Sequence, residues 1–240
     1  MAKAVKKHHV IIGASAAGLA ALEAIREVDK ASAVTILCKE KGPLYSRVGL
    51  THFLDGTVKV PGMNMRDPDY AKQMNATILT GVAAVHVNPK ARTVKLSNRK
   101  TVKYDSLLVA SGSSAVVLPI PGVKLRGVYP CITRQDAINI DKAIPGARQT
   151  AVIGAGLIGI QAVDCLAKRK KKVAVIEMMP HVMPAMVDAT GAKIFEDMLR
   201  EQAHSVHTGL RAMEILGKNG RVSGVKLENG DVVPCQLLVM

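Results

Sequence analysis

Aromatic side chains are scarce in this sequence of 240 residues, which contains two Phe, four Tyr and no Trp. Proteins that bind single-stranded nucleic acid stack the bases on aromatic rings, and the sequence offers little for such a surface. The 19 acidic residues are also few against 33 Lys and Arg, and the resulting net charge of +14 attracts anions in general. Because no helix-turn-helix or aromatic RNA-binding pattern is present, this charge favours a solvated surface over a nucleic-acid partner.

The sequence has no apolar run of about 18 residues, so no membrane-spanning helix is predicted. Its basic and apolar N-terminus looks like a signal peptide, but Glu23 and Arg26 follow the apolar run directly. The run is better explained as the first strand and helix of a folded unit.

The cysteines and histidines lack the spacing of metal sites, and no metal site is predicted. No two of the four cysteines lie close enough for a C-x-x-C pair, so we expect free thiols in a reducing compartment and a cytoplasmic location. His204 and His207 have the spacing of a metal pair on a helix, but no third ligand lies nearby in the sequence. We interpret them as surface or packing residues.

Two segments of the chain follow the same order of strand, glycine-rich turn, helix and strand. Residues 9–12, 16–28 and 33–38 form the first set, and residues 150–153, 157–168 and 172–176 form the second. Each set predicts a βαβ unit, which requires parallel strands and a right-handed crossover. The predicted fold class is therefore α/β, with two Rossmann-like nucleotide-binding units.

Proline and glycine mark the other boundaries. The Leu118–Gly122 segment has two prolines and a glycine, and we interpret it as a linker between predicted domains at 1–117 and 118–240. Asn219-Gly220 and Asn229-Gly230 predict two hairpin turns near the end of the sequence.

The second turn, Gly154–Gly159, is a complete G-x-G-x-x-G pattern directly after a predicted strand. Glycine at these places allows a tight turn, close approach of a pyrophosphate and close packing of helix on strand. Glu177 ends the next predicted strand, where a carboxylate accepts the ribose hydroxyls and repels a 2′-phosphate. NAD is therefore predicted over NADP, and the predicted NAD-binding residues are Gly154, Gly156, Leu157, Ile158, Gly159 and Glu177.

The first turn, Gly13–Gly18, departs from this pattern because Ser15 replaces the middle glycine. Its position between an apolar strand and an Ala-rich helix still predicts a nucleotide-binding turn, and Ser15 is small enough to let a phosphate approach. The expected carboxylate is displaced to Glu40, for which an ordinary loop charge is the alternative.

Five segments together resemble the FAD-dependent pyridine nucleotide–disulfide oxidoreductase superfamily. The likeness is greatest to the single-flavin NADH:rubredoxin and ferredoxin reductases and to the flavin part of NADH-nitrite reductase. It covers about residues 7–240, and the five segments are 10–22, Leu44–Leu50, Tyr104–Ser113, Pro119–Gly122 and 151–162.

The resemblance implies that the first turn binds FAD, the second binds NADH, and hydride passes from NADH to FAD. The acceptor that follows would be a small acidic electron-carrier protein or another group that is not a disulfide, and a homodimer of the intact protein stays open. An NADH-binding module without tight FAD is the alternative function. The residues implied to bind FAD are Gly13, Ser15, Ala16, Ala17, Gly18, Lys39, Glu40, Arg47, Ala84, Ala110, Ser111, Gly112 and Gln161.

The sequence departs from the family pattern in three ways. Val48 stands where cysteine-dependent members have their redox thiol, so no catalytic cysteine is expected. Gln161 replaces a glutamate beside the flavin. The sequence ends before the family's GD segment, so the first unit is expected to be incomplete and to bind FAD weakly or not at all, while NAD binding at Gly154–Gly159 is retained. His52 is the histidine considered for proton transfer, with a half-buried packing role as the alternative.

Overall fold

The computed structural model describes residues 6–202 and 204–240, and its parallel sheets confirm the predicted α/β class. The strands are β1 (His8–Ile12), β2 (Ala33–Cys38), β3 (Thr77–Thr80), β4 (Ala84–Asn88), β5 (Thr93–Leu96), β6 (Thr101–Lys103), β7 (Ser106–Val109), β8 (Val128–Tyr129), β9 (Gln149–Ile153), β10 (Lys172–Glu177), β11 (Ser205–Thr208), β12 (Ala212–Lys218), β13 (Arg221–Leu227), β14 (Val232–Pro234) and β15 (Leu237–Val239). The helices are α1 (Ala16–Val28), α2 (Gly49–Leu54), α3 (Tyr70–Gln73), α4 (Arg134–Ala143), α5 (Leu157–Lys168) and α6 (Ala189–Glu201), with a 3₁₀ turn at Val60–Met63. Within the described ranges, no helix combines the length and the apolar character needed to cross a bilayer.

The chain divides into two compact units, and the first contains the described residues up to Ser46 together with Met63–Ser113. Its main sheet is parallel, in the order β3-β2-β1-β7. Helix α1 buries Leu22 in the same cluster as Ile36 of β2. A smaller antiparallel sheet, β4-β5-β6, adds a second cluster around the fully buried Val94. The first unit thus has apolar packing both from α1 and from the smaller sheet.

Arg26, in the last turn of α1, joins three chain segments of the first unit through its guanidinium group. It donates to the carbonyl oxygens of Met74 (2.6 Å), Asn75 (2.7 Å), Asp29 (2.8 Å) and Ser32 (3.0 Å). Hydrogen bonds from a charged donor are stronger than neutral ones. The end of α1, the loop before β2 and the loop before β3 are therefore held together.

The second unit contains Arg47–Gly62 and Ser114–Met240. Its parallel sheet has the order β11-β10-β9-β15-β8, and a separate antiparallel sheet has the order β12-β13-β14. Ile176 of β10 and Ile215 of β12 belong to one buried cluster, which joins the two sheets. Both predicted Asn-Gly hairpin turns are confirmed, since they connect β12 with β13 and β13 with β14.

The Leu118–Gly122 segment, expected to be a linker, packs into the second unit instead. The carbonyl oxygen of Pro121 accepts a hydrogen bond from the amide of Ile215 (2.9 Å), and Ile120 packs against the buried cluster. Proline lacks a backbone donor but keeps its carbonyl, so it can still join the edge of a strand. The chain passes into the second unit at Ser113–Ser114, shortly before the boundary predicted at 117–118. However, Arg47–Gly62 of the predicted first domain also belongs to the second unit.

Helix α2 comes from the N-terminal half of the chain but belongs to the second unit. The Cys165 thiol donates to the carbonyl oxygen of Thr51 (3.3 Å), and Arg169 donates to that of Leu54 (3.1 Å). Arg169 also forms an ion pair with Asp141 of α4 (2.9 Å). Thr51 contacts Cys165, and Leu54, nearer the end of α2, contacts Arg169, just after the end of α5. The two helices therefore run in the same direction.

His204 is buried beside the start of β11 in the second unit. Its Nδ1 accepts a hydrogen bond from the amide of Val173 in β10 (3.1 Å). Among the described residues, Nε2 has no hydrogen-bond partner. Burial lowers the pKa of His204, because the charged imidazolium would lose its hydration.

We predict that acidification destabilises the folded protein through His204. The unfolded chain protonates this residue near its ordinary pKa of about 6.5, whereas the folded chain does so only at lower pH. The contribution of neutral His204 to the free energy of unfolding is therefore fully present above about pH 6.5. This contribution is lost as the pH falls through the pKa of His204 in the folded protein. Urea unfolding at about pH 7.5 and about pH 5.5 measures this loss, and His204→Gln should show a smaller loss because glutamine does not titrate. Equal losses in the two proteins would contradict the prediction.

Candidate nucleotide-binding sites

The second glycine turn connects β9 to α5, and glycine is suited to each of its positions for a different structural reason. Gly154 has a φ of +94°, and its amide donates to the carbonyl oxygen of Ile176 (2.8 Å). A Cβ atom at Gly159 would lie 1.8 Å from the carbonyl oxygen of Gly154, whereas a Cβ atom at Gly156 would meet nothing within 4 Å. Close packing therefore requires glycine at 159, and position 156 faces open space.

The open space at Gly156 lies beside the N-terminus of α5. Gly156 is the N-cap of this helix and makes no side-chain capping bond, and the next two residues, Leu157 and Ile158, have exposed side chains. The first N–H groups of a helix have no acceptor within it and carry partial positive charge. A pyrophosphate fits this combination of open space, donors and charge.

Glu177, at the end of β10, joins the glycine turn to the loop that follows β10. Its side chain is buried, with Oε2 accepting from the amide of Ala155 (2.7 Å) and Oε1 from the amide of Met179 (2.9 Å). The amide of Met183 donates back to the carbonyl oxygen of Ala155 (2.8 Å). A carboxylate accepts about four hydrogen bonds, so these two bonds are compatible with further bonds from ribose hydroxyls.

The first glycine turn repeats the steric arrangement of the second. Gly13 has a φ of +117°, and its amide donates to the carbonyl oxygen of Leu37 (2.9 Å). A Cβ atom at Gly18 would lie 1.9 Å from the carbonyl oxygen of Gly13. Ser15 is the N-cap of α1 without a side-chain capping bond, and Ala16 and Ala17 are exposed at the start of the helix.

The end of β7 lies against the first glycine turn. The amide of Ala110 donates to the carbonyl oxygen of Ile12 (2.8 Å), and a Cβ atom at Gly13 would lie 2.0 Å from the carbonyl oxygen of Ala110. Ser111 is exposed, and a Cβ atom at Gly112 would meet nothing within 4 Å. The structure therefore brings together the two predicted flavin-binding turns of the first unit.

Glu40 lies just beyond β2, beside the link between β3 and β4. Its carbonyl oxygen accepts from the amide of Gly81 (3.0 Å), and its Oε2 accepts from the hydroxyl of Tyr45 (2.7 Å). Lys39 is exposed, and Ala84 is half-buried at the start of β4. The sequence analysis named Glu40 but did not name Tyr45 as its partner. The signal for this contact was the short separation of five residues between them.

The remaining predicted site residues lie in the second unit. Arg47 donates to the carbonyl oxygen of Ile132. Val48 is the N-cap of α2 and is 74% exposed, while His52 in α2 and Gln161 in α5 are also exposed. Arg47, predicted within the domain 1–117, therefore belongs to the second unit, and Gln161 belongs to the second unit as its place in the predicted domain 118–240 requires.

Residues 7–240, which include both glycine turns, match the family model for pyridine nucleotide-disulphide oxidoreductase. The chain belongs to this family. The resemblance stated from the sequence is thereby confirmed.

Three relatives show how this family member compares with known proteins. It is similar to nitrite reductase (NAD(P)H) of Bacillus subtilis (strain 168), at 30% identity over 98% of this chain and 29% of the relative. It is similar to NADH oxidase of Methanocaldococcus jannaschii, at 31% identity over 96% of this chain and 53% of the relative. The solved ferredoxin reductase for the CYP199A2 system of Rhodopseudomonas palustris has a TM-score of 0.92 at 25% identity, over 98% of this chain and 58% of that one. The chain thus spans between 29% and 58% of these three proteins.

Burial disfavours ionisation of three of the four cysteines in this family member. Burial raises the pKa of Cys165 and Cys235 to about 12, and burial raises the pKa of Cys131 to about 11. A thiol with such a pKa is protonated at neutral pH and is a poor nucleophile. Within the described ranges, no group of three or more His, Cys, Asp or Glu residues is placed to hold a metal ion.

We predict that alanine substitutions separate the two kinds of glycine in the second turn. Gly159→Ala should destabilise the fold by more than about 2 kcal/mol, because its Cβ collides with backbone. Gly156→Ala should keep the parent's stability but weaken NADH binding about tenfold, because its Cβ enters the space offered to the pyrophosphate. Thermal unfolding and titration with NADH measure the two effects.

Gly146→Ala is the matched control, since this glycine lies after α4 and its Cβ would meet only one atom, at 3.9 Å. It should change neither quantity. Full NADH affinity in Gly156→Ala would show that the pyrophosphate does not approach this turn.

Proposed function

We propose that the protein is an NADH-dependent flavoprotein oxidoreductase. It binds FAD at the first turn and NADH at the second, passes hydride from NADH to FAD, and delivers electrons to an acceptor that is not a disulfide. The repeated turn geometry carries this proposal: a Cβ atom on the last glycine would lie 1.9 Å or 1.8 Å from the carbonyl oxygen of the first. Each turn connects a parallel strand to a helix and is accompanied by a carboxylate at the end of the next strand (Glu177) or just beyond it (Glu40), which is the arrangement of a dinucleotide site.

The first unit supplies the groups that fit FAD. The open space at Gly112 adjoins the Gly13 turn, and Glu40 lies at the end of the neighbouring strand. We therefore assign FAD to the predicted domain 1–117 and NADH to the predicted domain 118–240. The family resemblance implies Arg47 and Gln161 as further FAD-binding residues.

The second unit orients NADH through backbone and charge. The first N–H groups of α5 would bind the pyrophosphate, and Glu177 would accept the hydroxyls of the adenosine ribose. Bound FAD supplies the chemistry of accepting hydride and releasing electrons. The protein's own residues hold the two dinucleotides and fix their orientation, and no side chain is required as an acid or base in the reductive step.

A small acidic redox protein is the acceptor that the observations favour. One relative is named a ferredoxin reductase, and Val48 supplies no thiol for disulfide chemistry. The net charge of +14 speeds association with an acidic partner through long-range attraction. Within the part of the chain that the structure describes, the cysteines at 38, 131, 165 and 235 form no disulfide bond, which fits a cytoplasmic location.

We predict that NADH reduces FAD bound to this protein. Under anaerobic conditions, NADH added to the FAD-loaded protein should remove the visible flavin absorbance, and an oxidised acidic electron carrier should restore it. Free FAD with NADH, without protein, is the control for uncatalysed reduction. A colourless protein that binds NADH but not FAD would contradict the proposal and support a non-catalytic NADH-binding module.

We predict that Glu177 makes the protein prefer NADH to NADPH. Glu177→Gln removes the charge but keeps an acceptor for one of the two amides, so the preference should fall about tenfold. Glu177→Arg should favour NADPH further, but it should also weaken NADH binding, because both bonds to Ala155 and Met179 are lost. Titrations with both nucleotides measure the ratio.

Glu196→Gln is the matched control for this experiment. Glu196 Oε1 also accepts from an amide of the loop after β10, that of Val182 (3.3 Å), but Glu196 lies on α6. Its substitution should leave the NADH:NADPH ratio unchanged. Equal binding of both nucleotides by the parent protein, or an unchanged ratio in Glu177→Arg, would show that Glu177 is not at the ribose.

A further inference from the structure

The backbone around Glu40 is fixed at the same edge of the sheet as the first glycine turn. The amide of Gly13 donates to Leu37 near the end of β2 (2.9 Å), so the turn and this strand end are directly connected. The amides of Val82 and Gly81 donate to the carbonyl oxygens of Cys38 and Glu40, both at 3.0 Å. These bonds fix the backbone position from which the Glu40 side chain starts.

The Glu40 side chain has a second anchor in Tyr45. The Tyr45 hydroxyl donates to Glu40 Oε2 at 2.7 Å, and Tyr45 is only 7% exposed. The backbone of Tyr45 pairs with Asn64 in an isolated antiparallel bridge. On either side of that bridge, the amide of Ser46 donates to Met63 and the amide of Met65 donates to Leu44, both at 2.9 Å. The phenol is therefore presented to the carboxylate from a fixed and buried position.

The chemistry of this pair suits a carboxylate that must also bind a ligand. A phenol is a neutral donor of one hydrogen bond, so it orients a carboxylate without adding a positive charge beside it. A carboxylate accepts about four hydrogen bonds, so the bond from Tyr45 is compatible with bonds from two ribose hydroxyls.

We propose that Tyr45 is a positioning residue that sets the orientation of Glu40 toward the adenosine ribose of FAD. This inference rests on the proposed function, because it takes the first turn as the FAD site. Tyr45 acts through Glu40 and does not take part in hydride transfer.

The test is the FAD affinity of Tyr45→Phe, which removes a single oxygen atom. We expect FAD to bind about five- to tenfold more weakly, because Glu40 loses its orienting bond. The affinity for NADH and the melting temperature should stay close to those of the parent protein.

Tyr70→Phe is the matched control in the same unit. The Tyr70 hydroxyl also donates to a carboxylate, that of Glu23 (2.8 Å), and Tyr70 is 6% exposed. Glu23 lies on α1, accepts a hydrogen bond from Arg66 (2.7 Å) and is not among the residues assigned to FAD. Tyr70→Phe should therefore leave FAD affinity unchanged.

A double-mutant cycle with Glu40→Gln distinguishes positioning from a structural role. If Tyr45 acts through Glu40, removing its hydroxyl should have a much smaller effect on FAD affinity in the Glu40→Gln background. Additive effects, an unchanged FAD affinity in Tyr45→Phe, or a comparable loss in Tyr70→Phe would each overturn the proposal. A Tyr45→Phe protein that does not fold would overturn it too, by showing a structural role. Absence of FAD binding in the parent protein would instead refute the proposed function, and this inference with it.

Discussion

The contact between the last glycine and the first carbonyl group of each turn determines where both candidate sites lie. A Cβ atom at Gly18 or Gly159 would lie less than 2 Å from a carbonyl oxygen, at 1.9 Å and 1.8 Å respectively. Any side chain there would force the helix away from its strand. The helix N-terminus would then leave the edge of the sheet, together with the N–H groups suited to a phosphate. The carboxylates Glu40 and Glu177 are useful only in relation to that same edge.

The two carboxylates are fixed by different means, with different consequences. Glu177 accepts from the amide of Ala155 within the glycine turn, so the carboxylate and the turn form one hydrogen-bonded unit. Its charge cannot be changed without also disturbing the turn. Glu40 is oriented by the hydroxyl of Tyr45, which lies outside the first turn. In the first unit, therefore, the orientation of the carboxylate can be altered while the glycine turn remains intact.

Local sequence pattern was sufficient to predict the parts of the fold that depend on local contacts. Helices α1 and α5 begin and end at the predicted residues, since glycine turns precede them and apolar periodicity runs through them. The Asn-Gly hairpins were predictable for the same reason, because the turn chemistry is contained in two residues. Long-range packing was not predictable: α2 joins α5 through Cys165, and Pro121 joins β12 through Ile215. Neither contact leaves a pattern in the neighbouring sequence. The backbone bridge between Tyr45 and Asn64, which holds the tyrosine beside Glu40, leaves none either.

The burial of three cysteines bears on how electrons would leave the flavin in the proposed function. Cys131, Cys165 and Cys235 have raised pKa values because their thiolates would be desolvated, and Cys165 also donates its proton to a backbone carbonyl. These three residues therefore contribute to packing, because a buried and protonated thiol is a poor nucleophile. In the proposed function, electrons then pass from the flavin to the acceptor without using these three thiols. The rate would depend on how accurately the two turns hold their dinucleotides, and the close glycine contacts are the constraint that maintains this accuracy.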